Sequence, residues 1–450
     1  MNQLDPSSVA SERPTRVRYG IIILAMLVAV LLYLDRVCMS IASKSVAADL
    51  QISNTHLDWL LGAFFWTYAL GQLPAGWLGD RFGARWMLGA YVILWSLCTG
   101  LMGLASSAAA LLALRLGCGL FEAGAYPVAA SIVRRWVPMQ RRGVASSLIA
   151  VGGRLGGALA PPLTIWLMLK WTYGWEVPND PVAAVTSWRP VMMLYGIAGI
   201  VIAIIFMLLF RDWPDRHPRV NAAEVDLIRR FDPPVPVAAS KIAAPPILEM
   251  IQSWPLWLNC FVQFAANMGW AFLVTKMPQY LQDVHQSNQQ AQGWLQSLPL
   301  FAGIVGLLIG GVFTDRITRS LGLRWGRSIA MSLSRLIVAF AFVGCLYVDS
   351  PLEATLFLAL VGLATDLGTP ACWAYGQDVG GRHVGSVVGW SNMWGNFGAA
   401  LSPVFLGWIV AQFTSVATGW HFAFATCAAL NVLAAIAAIG INASRPLRAD

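Results

Sequence analysis

Apolar stretches of about twenty residues recur from Tyr19 to Asn442, and few charges interrupt them. A bilayer core about 30 Å thick is crossed by roughly 20 helical residues, so each stretch is the length of a membrane span. The pattern predicts an all-α integral membrane protein with twelve transmembrane helices. They are placed near 19–45, 55–79, 86–105, 108–136, 142–170, 188–210, 254–280, 292–314, 327–348, 352–376, 383–412 and 418–442. Charge supply agrees. Only 12% of the 450 residues are charged, against about 25% in soluble domains, too few to cover a water-soluble globule of this size.

Several chemistries drop out. None of the four lysines (Lys44, Lys170, Lys241, Lys276) follows a glycine, so there is no phosphate-binding loop for an ATP-driven pump. The five histidines are scattered and have no paired cysteine ligands, which predicts no metal site. Seven cysteines, an odd number and all in apolar stretches, fit buried free thiols better than a disulfide framework. Residues 1–18 are polar, and the following apolar run is broken by Asp35-Arg36, so it is expected to stay as the first span and not to be cleaved.

The basic residues set the orientation. With both termini cytoplasmic, 22 of the 30 fall in cytoplasmic segments, four (Lys44, Lys170, Arg189, Lys276) lie outside, and four (Arg36, Arg115, Arg154, Arg335) lie within spans. The positive-inside rule favours this arrangement strongly. It also accounts for the net charge of +8 without any nucleic-acid partner. The expected organisation is a cytoplasmic tail (1–18), a first six-helix bundle (19–210), a cytoplasmic linker (211–253), a second six-helix bundle (254–442) and a short tail (443–450). The bundles echo each other. Gly76-Trp-Leu-Gly-Asp80-Arg81-Phe-Gly-Ala-Arg85 has a weaker copy at Gly311-Val-Phe-Thr-Asp315-Arg316. Trp188-Arg189 matches Trp420-His421, and GGALAPP (156–162) matches GAALSP (398–403). These offsets of 232 to 242 residues indicate two parallel repeats.

On these motifs the chain resembles the major facilitator superfamily. Tyr33-Leu-Asp35-Arg36-Val, FFWTYALGQLPAGWLGDRFG (64–83) and RLGCGLFEAGAYPVAASIVRRWVPMQRRGVASS (115–147) resemble its anion:cation symporter branch. That branch includes hexuronate, galactonate and aldarate carriers and the sialin and vesicular glutamate transporters. The resemblance implies two bundles rocking around a central cavity, a proton-coupled carrier and no enzyme activity.

Ionisable residues inside a bilayer are costly and mark either structural pairs or function. Here they are Asp35, Arg36, Arg115, Glu122, Arg154, Arg335 and Asp366, one positive charge in excess, which suits an anion. Arg115 and Glu122 are seven apart on one helix face. They either pair to hold their span in place or form a proton site in which Glu122 titrates against Arg115. Asp35 and Arg36 point about 100° apart, and one of them could reach the outer surface. The resemblance makes Arg36 the carboxylate anchor and Asp35 a second protonatable acid. Arg154 either reaches the cytoplasmic surface or binds a second anionic group. The latter favours a dicarboxylate such as an aldarate, and the offset places Arg154 opposite Asn396. Arg335 is read as surface-reaching or paired with Asp366.

Tyr33, Tyr68, Gln263, Asn267, Trp373, Asn392 and Asn396 are further candidates for substrate contact, each also able to serve packing. The resemblance makes Asp80, Arg81, Arg85, Asp315 and Arg316 a conformational latch. The expected function is proton-driven symport of an organic anion, a sugar acid, into the cytoplasm of a bacterial cell across its inner membrane. The expected protein is a monomer without cofactor whose partners are the anion, protons and lipid. Symport of an aromatic or other small carboxylate, and anion exchange without proton coupling, stay open. A drug antiporter is disfavoured by the arginine excess, and an intramembrane enzyme or receptor by the lack of a nucleophile, metal site or signalling domain.

Overall fold

The computed structural model describes residues 13–172, 188–230, 244–286 and 289–447, and among them there are helices but no strands. The helices are α1 (Val17–Leu50), α2 (Asn54–Phe82), α3 (Ala84–Met102), α4 (Ala108–Glu122), α5 (Ala125–Trp136), α6 (Arg142–Thr172), α7 (Trp188–Leu209) and α8 (Ala222–Arg229). Beyond them run α9 (Ile247–Gln252), α10 (Trp254–Thr275), α11 (Met277–Asp283), α12 (Gln289–Gly344), α13 (Pro351–Val379), α14 (Val384–Ala411) and α15 (Val416–Ile439).

Ten helical segments among the described residues are long and apolar enough to cross a membrane. One of these, Leu295–Gly344, contains two of the expected spans, because Gly322 (φ 77°, ψ 175°) breaks α12. The 29-residue α2 occupies the expected second span. The fourth span, Ala108–Trp136, is a single candidate span in which α4 and α5 meet at Ala123-Gly124, both residues keeping helical dihedrals. Outward faces carry Ile197, Phe340, Leu433 and Ile436, each about 60% exposed, as lipid contact requires.

The chain divides into two compact units, residues 1–139 with 149–243 and residues 140–148 with 244–450. The start of α6 therefore belongs with the second unit. In unit 1, α2 packs on α4 and α3 on α7. Small residues permit the close approach. A Cβ added at Gly119 would lie 2.3 Å from both the Phe64 carbonyl and the Thr67 hydroxyl. At Gly152 and Gly156 it would lie 2.5 and 2.3 Å from the Met26 and Val30 carbonyls of α1.

Part of the polar stretch after α7 is integral to unit 1. The Asn221 side chain caps α8 by accepting from Glu224 N–H. Glu224, fully buried, then caps α1. It accepts from Arg18 Nη1 at 3.0 Å, from the Arg18 and Val17 backbone N–H groups at 3.2 and 3.4 Å, and from the Thr15 hydroxyl. A carboxylate at a helix N-terminus satisfies orphan donors and complements the helix dipole.

In unit 2, α12 packs on α13 and α10 on α14. An aromatic core of Phe272, Tyr280, Phe342, Trp420 and Phe424 holds its helices together. The sequence repeat has a physical counterpart. The buried Trp188 indole donates to Asp49 at the end of α1 (3.1 Å), and the buried Trp420 indole donates to Asp283 at the end of α11 (3.4 Å). Each unit thus ties the start of its last long helix to an acid in the same way.

Candidate functional site

Unit 1 gathers five buried or half-buried charges from three helices: Asp35 and Arg36 of α1, Arg115 and Glu122 of α4, and Arg154 of α6. Arg36 of α1 donates through Nε and Nη2 to a single oxygen of Glu122, Oε2, at 3.1 and 3.0 Å. Its guanidinium also lies over the rings of Tyr68 (4.3 Å), Tyr33 (5.0 Å) and Phe64 (5.0 Å). Such stacking suits the flat guanidinium. The second oxygen, Oε1, is buried and has no hydrogen-bond partner among the described residues. Glu122 is the last residue of α4, at the junction with α5.

This pairing differs from the one that helical spacing suggested. Arg115 is not the hydrogen-bonded partner of Glu122. It lies over the Phe64 ring at 4.6 Å and donates from Nη2 to the Arg36 carbonyl at 3.4 Å, while its Nε is unpartnered among the described residues. Seven residues of helix rise about 10 Å, too far for a direct pair when Arg36 reaches Glu122 first. Both guanidinium groups thus lie against the Phe64 ring.

Asp35 hydrogen-bonds to α3 and not to Arg36, with Glu122 within electrostatic range. Its Oδ2 accepts from the fully buried Trp95 indole at 3.0 Å, and its Oδ1 has no partner among the described residues. Neither Asp35 (2% exposed) nor Arg36 (side chain 13% exposed) turns out to a surface of the unit. Arg154, half-buried on α6, lies within electrostatic range of the Tyr126 hydroxyl. Trp95 and Tyr126 escaped the sequence reading, since tryptophan is abundant here and a lone tyrosine carries no spacing signal. Gln72 escaped it too. It is wholly buried one turn from Tyr68, with neither amide atom hydrogen-bonded among the described residues.

Unit 2 groups amides on α10 and α14 and also buries Arg335 and Asp366. Gln263 and Asn267 lie one turn apart on α10 and face Gly395 of α14, where an added Cβ would fall 2.4 Å from Asn267 Nδ2. Asn392 is buried, and Asn396 donates from Nδ2 to the Asn392 carbonyl at 2.8 Å. Asn259 donates to Ser391 at 3.2 Å. Trp373 is half-buried on α13. Arg335 is buried among neutral acceptors, Ser334 Oγ (2.9 Å), the Thr365 carbonyl (3.1 Å) and Asn431 Oδ1 (3.4 Å), with Asp366 in electrostatic range.

The five latch candidates divide. Asp80 accepts from Ser131 at 3.0 Å, and Arg85 donates from Nε to the Met207 carbonyl at 2.8 Å. Gly83, at φ 90°, makes the turn between α2 and α3, where Asp212 accepts from Arg85 N–H and from Arg135. Arg81 and Arg316 are exposed, Arg81 lying 5.3 Å over Trp77 and over Phe82. Asp315 in unit 2 accepts the backbone N–H groups of Gly143 and Val144, both at 2.9 Å, at the start of α6. Beside it is an acid absent from the sequence reading. Asp378 accepts from Arg142 on Oδ1 at 2.7 Å and from Arg327 on Oδ2 at 2.9 Å, all three side chains buried.

This geometry can be set beside known proteins. The "Probable sulfoacetate transporter SauU" of Cupriavidus necator is 28% identical over 95% of this chain and 94% of its own. The "Probable galactarate/D-glucarate transporter GarP" of Escherichia coli (strain K12) is 29% identical over 94% of each chain. Among solved structures, the proton:xylose symporter XylE matches with a TM-score of 0.68 at 14% identity, covering 96% of this chain and 95% of its own, which bears on the fold alone. The family model described as "Major Facilitator Superfamily" matches residues 25–403 and 260–449. The chain belongs to the major facilitator superfamily.

Proposed function

We propose that this protein is a secondary transporter that brings an organic anion into the cytoplasm together with protons. The observation that carries the reading is the Arg36–Glu122 pair. Arg36 is a carboxylate ligand whose Nε and Nη2 edge is engaged by Glu122 Oε2. An incoming anion therefore competes with Glu122 for the same guanidinium. Protonating Glu122 weakens its hold on Arg36, removes the negative charge that repels the anion, and frees a bidentate donor face. Anion binding and proton binding then favour each other, which is the thermodynamic content of symport. Asp35, with its open oxygen and single indole donor, is a second proton carrier. Arg115 keeps the local field positive throughout, since arginine does not deprotonate.

Substrate class follows from charge and kinship. Arg154 supplies a second cation, and the two relatives named above are named for sulfoacetate and for galactarate and glucarate, molecules with an acid group at each end. A sugar dicarboxylate fits both facts. The amides Gln263, Asn267, Asn392 and Asn396 and the indole of Trp373 suit its hydroxyls. Alternating access of a bacterial inner-membrane carrier with cytoplasmic termini is the working cycle, powered by the proton gradient and not by a cofactor. The test is uptake of galactarate into proteoliposomes under an imposed inward proton gradient. Wild-type protein is expected to concentrate it, and Glu122→Gln to exchange it without concentrating it. Uphill accumulation by Glu122→Gln would overturn the coupling.

A further inference from the structure

We propose that Tyr126 is a specificity-determining residue that, with Arg154, forms the subsite for the second acid group of the substrate. The inference rests on the anion-carrier reading above and adds a residue that the reading does not use. Tyr126 stands in the first turn of α5, just past the junction that ends α4 at Glu122.

The tyrosine is held at both ends. Its ring helps wall a small apolar cavity with Ala25, Val28, Leu32 and Leu88. Its hydroxyl reaches the glycine face of α6. A Cβ placed at Gly153 would lie 2.4 Å from the Tyr126 oxygen and 2.7 Å from Cε2 of Tyr33. Glycine at 153 is thus what admits both phenols to the α6 backbone, one residue before Arg154. Tyr33 in turn lies under the Arg36 guanidinium at 5.0 Å. The four side chains form a run through unit 1: Arg36, Tyr33, Tyr126, Arg154.

A row with a cation at each end and phenols between them complements one kind of molecule. It is a short chain with an acid group at each end and hydroxyls in the middle. Arg36 takes one acid group. The Tyr126 hydroxyl and the Arg154 guanidinium take the other, the phenol adding a directional donor to a charge that alone would accept many anions. A monocarboxylate of the same length uses Arg36 and leaves the Tyr126–Arg154 end without a charged partner.

The test compares galactarate, with two carboxylates, and galactonate, with one, for competition against labelled substrate in proteoliposome counterflow. Tyr126→Phe keeps the ring and its packing and removes one oxygen. Loss of a hydrogen bond to a charged group corresponds to about tenfold in affinity. Galactarate is therefore expected to weaken about tenfold in Tyr126→Phe and galactonate to stay unchanged. In the double variant Tyr126→Phe/Arg154→Gln the losses should be less than multiplicative, because the two groups serve one acid. Equal weakening of both acids, or no change in either, would overturn the subsite. Arg36→Gln separates this failure from that of the parent reading. If it leaves both acids bound as before, the anion-carrier assignment of Arg36 itself fails, whatever Tyr126→Phe does.

Discussion

The two units use the same residue types in opposite ways. In unit 2 the acids near the start of α6 are saturated: Asp378 gives one oxygen to Arg142 and the other to Arg327, and Asp315 gives one to each of two backbone N–H groups. In unit 1, Glu122 and Asp35 each have one engaged oxygen and one buried oxygen without a partner among the described residues. A saturated carboxylate loses two charge-assisted bonds if it takes a proton. A half-satisfied one loses less, and gains relief from burying a charge. On the proposed function, saturation, and not residue identity, separates acids that lock from acids that switch.

The largest expected effect tests the switching side. Arg36→Gln should reduce anion transport more than a hundredfold, because it removes the carboxylate ligand and leaves Glu122 buried without its cation. It should also cost about 3 kcal/mol of stability, the usual penalty for stranding one member of a buried pair. The double variant Arg36→Gln/Glu122→Gln should regain the thermal stability in detergent but not the transport. Recovery of transport would mean that Arg36 is only a counter-ion.

The next test sets one acid against the other. Asp378→Asn strips the carboxylate from two buried arginines and should lower stability by about 3 kcal/mol. Asp35→Asn keeps the indole bond and removes a buried charge, so its thermal midpoint should hold or rise while proton-driven accumulation falls. Equal destabilisation by both would erase the distinction between locking and switching acids.

Smaller effects probe the amide face. Gln263→Ala should raise the KM for a hydroxylated acid about fivefold, as expected for one neutral hydrogen bond, and leave the pH dependence of transport unchanged. A shift in pH dependence would move coupling chemistry into unit 2. Smallest of all, Gln72→Met replaces a buried amide lacking partners among the described residues and should stabilise the protein by roughly 1 kcal/mol.

Much of this was legible in the sequence. Apolar length marked the helices, and the intramembrane inventory named Asp35, Arg36, Arg115 and Glu122 before any contact was known. The pairing was not legible. Helical periodicity relates residues within one helix, so it offered Arg115 to Glu122. The partner that Glu122 takes, Arg36, lies 86 positions away on another helix. The junction of α4 and α5 at Ala123-Gly124 is likewise invisible to hydropathy, which sees only that the residues around it are apolar, whereas the interruption near Gly322 falls between two expected spans. Asp378 was overlooked because it stands at the end of an apolar span, where a charge reads as solvated. Two arginines from distant positions bury it, and only the fold brings them there. Tyr126 needed the same information, since its significance comes from the empty place at Gly153.

The central claim is that a proton on Glu122 and an anion on Arg36 bind together, and its most direct measurement is anion affinity against pH. Calorimetric titration of galactarate into purified wild-type protein should show affinity rising as pH falls through the titration range of Glu122 and weakening as pH rises above it. In Glu122→Gln, where that position is neutral at every pH, affinity should stay at the high, acid-side value, and any residual slope should vanish in Glu122→Gln/Asp35→Asn. A wild-type affinity that does not change with pH, or an undiminished slope in the double variant, would contradict the account.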